Sequence, residues 1–407
     1  MNRLPLFFSS IILIGLAAHT THAADRVVHL NGDTVEVRSI TGSADSLRID
    51  NQPVDLQQVR SIHRAIETDR VSLRAIRLYL ADGSVIIADK AQIDGDTVVF
   101  DWSVENATRW PIETVRAVLL RPMSADNMGR LTPERDFADA LEGEGPADDA
   151  LYVIRDEGIT VVPGVLESLG PDDARFVWND RSRSVSRDKL YGLSLAQTTK
   201  QPDHAGQVCV SLKDGSRIWG TFVGLNNNTL ALTRPGGVSL ELKWDSVCRL
   251  DVSSRYMTFL SDIEPVEQTT DAILGSESWV PRRDALVMSP IDEPIKLGDR
   301  TYEKGMGVRS MTTLTYDVDG KYARFAATIG FDDYWEKGLG DGTFIVKGDD
   351  RVLAEHRMTA ADAPVELDIA IEGVNKLTLY IDPHEDDTGD SAAWADARLI
   401  RATPASE

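Results

Sequence analysis

Leu314 to Asp333 reads LTYDVDGKYARFAATIGFDD. Apolar and polar residues alternate along Thr313 to Val318, break at a Gly-containing turn, and alternate again along Ala323 to Ile329. A period of two is the mark of a half-buried strand, and Gly with its polar neighbours supplies the turn. The same alternation returns in Thr343 to Val346, Val365 to Ile371 and Lys376 to Ile381, giving at least five strands. Strands at these spacings, each turning every second side chain inward, suit a β-sandwich. Trp394 precedes a run of small and apolar residues and is expected to anchor the last strand in the core.

Three stretches stand in one order in this part of the chain. They are Gly298 to Ser310 (GDRTYEKGMGVRS), Leu314 to Asp333, and Ala393 to Leu399 (AWADARL). Together they resemble the NPCBM family, the "novel putative carbohydrate-binding module", over residues 256–402. Gly305, Gly307 and Ser310 match the family's K-G-x-G turn, Asp332 and Asp333 its aspartate pair, and Trp394, Ala395 and Asp396 its closing Trp-Ala-Asp. Arg309 stands where the family often has His. The resemblance implies a galactose-binding-like jelly-roll sandwich and a carbohydrate partner. The candidate sugar-binding set is Arg309, Asp332, Asp333, Tyr334 and Trp335. A Trp in a Gly-rich loop flanked by carboxylates can stack on the C–H face of a sugar while the acids accept its hydroxyl protons. The same Trp can equally fold over the sandwich edge. Asp382 to Asp390 (DPHEDDTGD) holds five carboxylates, and Asp382, Asp386, Asp387 and Asp390 are candidate ligands for a structural calcium ion, which takes six to eight oxygens. A solvated acidic turn is the alternative, and the segment does not follow the EF-hand pattern.

Towards the N-terminus the chain repeats itself. Val27 to Gly32 (VVHLNG), Leu78 to Gly83 (LYLADG), Tyr152 to Gly158 (YVIRDEG) and Val208 to Gly215 (VCVSLKDG) each run an apolar strand into a Gly turn. An alternating strand follows in each: Leu47 and Ile49, Val98 and Phe100, Phe176 and Trp178, Leu230 and Leu232. Each unit closes on an apolar pair: Val59 and Ile62, Val115 and Val118, Leu190 and Leu193, Val247 and Leu250. From the opening Gly to the last of these there are 30 residues in the first unit and 35 in each of the others. The fourth resembles the opening of Sm-like small barrels, in which a DG turn supplies the positive φ of a tight hairpin. The expected architecture is all-β: tandem small antiparallel barrels or sheets, followed by the jelly-roll sandwich. Units one and two occupy 24–121, and units three and four 151–252. A helical and acidic linker at 122–150, with a helix through PERDFADALEG, divides them into two pairs. Trp102, Trp110, Trp178, Trp219 and Trp244 are expected in the core, as aromatics on strands usually are.

Residues 1–23 carry Arg3, the apolar run Leu6 to Ala18 and the small-residue site Thr21-His22-Ala23, the pattern of a secretory signal. The run is too short to span a ~30 Å hydrocarbon core, and no other segment approaches that length. A net charge of −22 repels phosphate backbones and argues against nucleic acid as a partner. Cys209 and Cys248 are the only cysteines; after export they can form a disulfide or remain two buried thiols. There is no CxxC, HExxH or GxSxG. The expected function is that of an exported, non-catalytic, carbohydrate-binding protein, secreted or held in the periplasm or cell envelope. In it the N-terminal repeats act as a spacer or as a platform for a protein partner. A glycoside hydrolase with an appended sugar-binding module, or an envelope protein that has lost sugar affinity, are the alternatives.

Overall fold

The computed structural model describes residues 24–66, 76–104, 108–121, 124–125, 131–132, 137, 140–141, 147–156, 158–196, 203–226, 228–271, 280–288, 293–332, 340–384 and 390–402. The signal segment, Asp333, Tyr334, Trp335, Asp386, Asp387 and most of the expected helix lie outside them. The fold is all-β, and every ladder is antiparallel.

Each repeat folds as one small closed path. In the fourth unit, Val208–Leu212 pairs with Arg217–Asn226, which pairs with Thr229–Arg234, which pairs with Val238–Lys243. A 3-10 turn at Trp244–Ser246 then returns Val247–Val252 to the far side of Val208–Leu212. Units two and three repeat this path, and in unit one the first strand, Asp25–His29, likewise pairs with both the second strand and the last. The closing apolar pairs are buried in one shared core. The opening turns owe their shape to side-chain caps: Asp82 Oδ1 accepts from Ser84 N at 3.0 Å, Asp214 Oδ1 from Ser216 N at 2.7 Å and Asn31 Oδ1 from Asp33 N at 3.1 Å. The glycines within, Gly83 and Gly215, take φ of 77° and 89°, a region in which a Cβ is strained.

The pairing of units differs from the order along the chain. The last strands of units two and three lie side by side (Val118 opposite Leu193), and so do those of units one and four (Leu250 opposite Ile62). Within the same two pairs, the second strands of units two and three meet at Leu169 opposite Ile93, and the second strand of unit four meets Ile40–Ser43 of unit one at Leu225 opposite Gly42. Units two and four then join the pairs by a near-twofold contact. Val85 lies opposite Arg217, Ser216 Oγ accepts from Ile87 N, and Ser84 Oγ accepts from Trp219 N. Trp102 Nε1 donates to Asp214 at 3.0 Å, while Arg234 donates to Asp82 at 2.8 Å. The units thus stand in the order three, two, four, one, so the linker does not set unit one with two and three with four.

Two further expectations are corrected. Cys209 lies opposite Asp251, with Cys248 three residues back along that strand, ~10 Å at ~3.3 Å per residue. A disulfide spans a Cα separation of ~4.4–6.8 Å, and no disulfide joins the two in the structure. Trp102, Trp110 and Trp244 are buried as expected, but Trp219 is half-buried against the His204 ring and Trp178 is exposed.

His63 sits where units one and four meet, its Nε2 2.8 Å from Ser61 Oγ and its backbone opposite Arg249. Burial, then the charges of Arg249, Arg26 and Arg60, lower its pKa from 6.5 to about 4. Above pH ~6.5 both folded and unfolded chains hold this ring neutral, but below that the unfolded chain binds a proton that the folded one refuses. Stability is therefore expected to fall as pH drops from about 6.5 towards 4, and denaturation midpoints of His63→Gln should show a shallower fall. An equal slope in the variant would remove His63 as a cause.

Residues from Met257 onward form the expected sandwich. One sheet runs in the order Arg282–Arg283, Gly305–Arg309, Ser391–Ile400, Arg324–Phe331, Val365–Ala370, and Met257–Phe259 also pairs with Ser391–Ile400. The other runs Glu267–Thr270, Thr312–Asp317, Lys376–Asp382, Asp341–Gly348, Arg351–Thr359. Between them lies a core in which Trp394, 1% exposed, meets Phe344 edge-on at 5.3 Å. The K-G-x-G turn is a packing device: a Cβ on Gly305 would come within 2.6 Å of the Trp394 carbonyl, and one on Gly307 would overlap that of Ala285. Asp396, of the closing Trp-Ala-Asp, joins the domains. Arg60 of unit one binds it with both terminal nitrogens, Arg398 pairs with it at 2.8 Å, and Arg398 Nε donates to the Leu30 carbonyl.

Candidate functional site

Strands of both sheets end at one pole of the sandwich, and there the sequence candidates converge. Arg309, half-buried, lies opposite Ser391 on the neighbouring strand. Asp332 follows the strand Arg324–Phe331; its N–H donates to the Ser391 carbonyl at 2.9 Å, and the Ser391 hydroxyl donates to its carboxylate. Asp390, fully buried, accepts from Asp341 N at 3.0 Å, and its carbonyl accepts from Ser310 N. Asp382 accepts from His384 N at 2.9 Å. Residues 332 and 340, and residues 384 and 390, flank the two segments on which the remaining candidates lie. The structure therefore brings Arg309, Asp332, Asp382 and Asp390 together.

Their burial divides them. Asp332 and Asp390 are buried, and each holds a hydroxyl or backbone donor through one carboxylate oxygen. The reachable groups at this pole include three that sequence reasoning missed. His384 Nε2 lies 2.7 Å from the Thr343 hydroxyl and its Nδ1 3.4 Å from Asp341, which also accepts from Arg357 at 3.1 Å. His384 lay within the acidic run and Asp341 in the Gly-rich one; their meeting depends on strand register, which pairs Thr343 with Asp382. On the strand leading into the pole, burial, then the charges of Asp382 and Asp271, raise the Tyr380 phenol. Cationic and NH donors beside carboxylate acceptors are the chemistry that recognises hydroxyl-rich ligands.

Of the four candidate calcium ligands, Asp386 and Asp387 lie outside the described residues. No group of three or more His, Cys, Asp or Glu able to hold a metal occurs among the described residues. Asp382 and Asp390 each accept a backbone N–H through one carboxylate oxygen.

The sequence comparisons agree with the sandwich. Residues 257–400 match the model of the NPCBM/NEW2 domain, which bears out the resemblance read from the three ordered stretches. Over an alignment of 220 positions, covering 43% of this chain and 14% of the other, the chain is 24% identical to "Putative endo-alpha-N-acetylgalactosaminidase" of Renibacterium salmoninarum. The chain thus spans about a seventh of the length of this curated relative. Among solved structures, the chain is similar to the CBM51 of Clostridium perfringens GH95 in complex with methyl-galactose. The two are 24% identical over 35% of this chain and 99% of that one, with a TM-score of 0.31. It is also similar to the CBM51-2 and INT domains of Clostridium perfringens ZmpB in complex with GlcNAc, at 23% identity, 48% and 38% coverage and a TM-score of 0.32. No helix among the described residues is long and apolar enough to cross a membrane.

Proposed function

We propose that this is an exported, non-catalytic protein that binds carbohydrate at the pole of its C-terminal sandwich. The observation that carries the reading is the convergence there of Arg309, Asp382, His384, Asp341 and Arg357, on a domain that matches a carbohydrate-binding family model. Arg309 and Arg357 donate to sugar hydroxyls, the carboxylates of Asp341 and Asp382 accept from them, and Asp333, Tyr334 and Trp335 extend the site as the sequence resemblance implies. The secretory pattern of residues 1–23 supports export. The four small-β units then serve as a spacer that carries the sandwich through its joint at Asp396. A glycosidase reading draws on the name of a relative of which the matched stretch is 14%, and nothing in the described pole calls for it.

The full chain, tested on a glycan array and then by calorimetric titration with the best ligand, is expected to bind a defined set of sugars. Arg309→Ala should weaken that binding about tenfold or more, the scale of a lost charge-assisted hydrogen bond. A folded chain that binds no glycan, or an Arg309→Ala chain that binds as well as the wild type, would overturn the proposal.

A further inference from the structure

Three of the four opening turns serve as contact surfaces. Those of units two and four cover one another through Asp82 and Asp214. That of unit one lies under the sandwich, where Leu30 packs with Ala326 and Ile400. Around the turn of unit three, apolar side chains face solvent instead: Ile154 is 40% exposed, Val161 42% and Trp178 39%. Strand register shows what these positions are. Val161 lies opposite Tyr152 as Val85 lies opposite Tyr79, and Val85 is the residue that meets Arg217 between units two and four. Trp178 stands two residues after Phe176, as Trp102 follows Phe100 and Arg234 follows Leu232. Trp102 and Arg234 are the side chains that those two units bury against each other.

We propose that this face of unit three is a dimerisation surface, on which unit three of a second copy of the chain docks about a twofold axis. The internal contact supplies the reason for choosing a second copy. Equivalent positions of two such units already pair within the chain in near-twofold fashion, and a surface of that kind is complementary to itself. The charges agree. The tip of the third turn carries Asp156, exposed, one position later than Asp82, because Arg155 lies directly opposite Gly158. Beside Trp178, Arg183 lies with its guanidinium 5.1 Å over the indole ring, and Arg181 is exposed. Neither arginine has an ion-pair partner among the described residues. In the docked pair, Asp156 of one copy meets Arg183 of the other, as Asp82 meets Arg234 inside the chain. An apolar centre with a rim of opposite charges is the usual anatomy of such an interface.

Sedimentation of the full chain up to about 100 µM is expected to show a concentration-dependent dimer. Val161→Asp and Trp178→Ala should each weaken it at least about tenfold. Both side chains are well exposed in the single chain, so thermal melting should be nearly unchanged. Asp156→Arg and Arg183→Asp should each weaken the dimer, and the two together should restore it in part. A chain that stays monomeric at about 100 µM, a dimer indifferent to Val161→Asp, or a charge exchange that restores nothing would each overturn the proposal.

Discussion

Asp82→Ala is expected to cost about 3–5 kcal/mol, the range for removing one partner of a buried ion pair. Arg234 and Asp82 are both nearly inaccessible, with side chains 5% and 6% exposed, and lie at the contact that joins the two pairs of units. The guanidinium also lies 4.0 Å over the Trp110 ring, a contact that cannot replace the carboxylate. With Asp82 gone, a cation is left buried with no counter-charge, and the order three, two, four, one loses its central joint. Urea denaturation followed by Trp fluorescence measures the loss. A double variant, Asp82→Leu with Arg234→Met, should recover much of it, because an apolar pair leaves no uncompensated charge behind. If the single variant is as stable as the wild type, the pair is not the joint we describe.

Trp394→Ala should destabilise the sandwich by about 3–5 kcal/mol, since it removes the largest fully buried side chain among the described residues and leaves a cavity between the sheets. Its neighbours Phe344 and Phe325 cannot close the gap without moving both sheets, because the strand Ser391–Ile400 is buried along its whole length. Calorimetry is expected to show the sandwich transition at markedly lower temperature. The transition of the small-β units should shift less, through contacts such as Arg60–Asp396 and Leu30 with Ile400. One transition moving as a block would mean that the two parts unfold together.

The candidate site was only partly legible in the sequence. Arg309, Asp332, Asp382 and Asp390 do meet at one pole, yet Asp332 and Asp390 are buried there, and His384, Asp341 and Arg357 were missed. A carboxylate in a list of residues does not reveal whether it faces water or a backbone N–H. That depends on strands such as Asp341–Gly348 and Lys376–Asp382 lying side by side. Trp178 makes the same point. It has the sequence context of Trp102, but Trp102 is covered by the Asp214 turn of another unit and Trp178 is left open.

By itself the sequence determined the all-β class, the four repeated units with their Gly turns, and the sandwich of the last third. These follow from side-chain alternation and turn chemistry, interactions confined to a few neighbouring residues. Tertiary structure alone decided which unit pairs with which, that the cysteines stay apart, and where Arg234, Trp178 and His384 end up. Each of these rests on the register between strands or units far apart in sequence, 152 residues in the case of Arg234 and Asp82, and local patterns carry no trace of it.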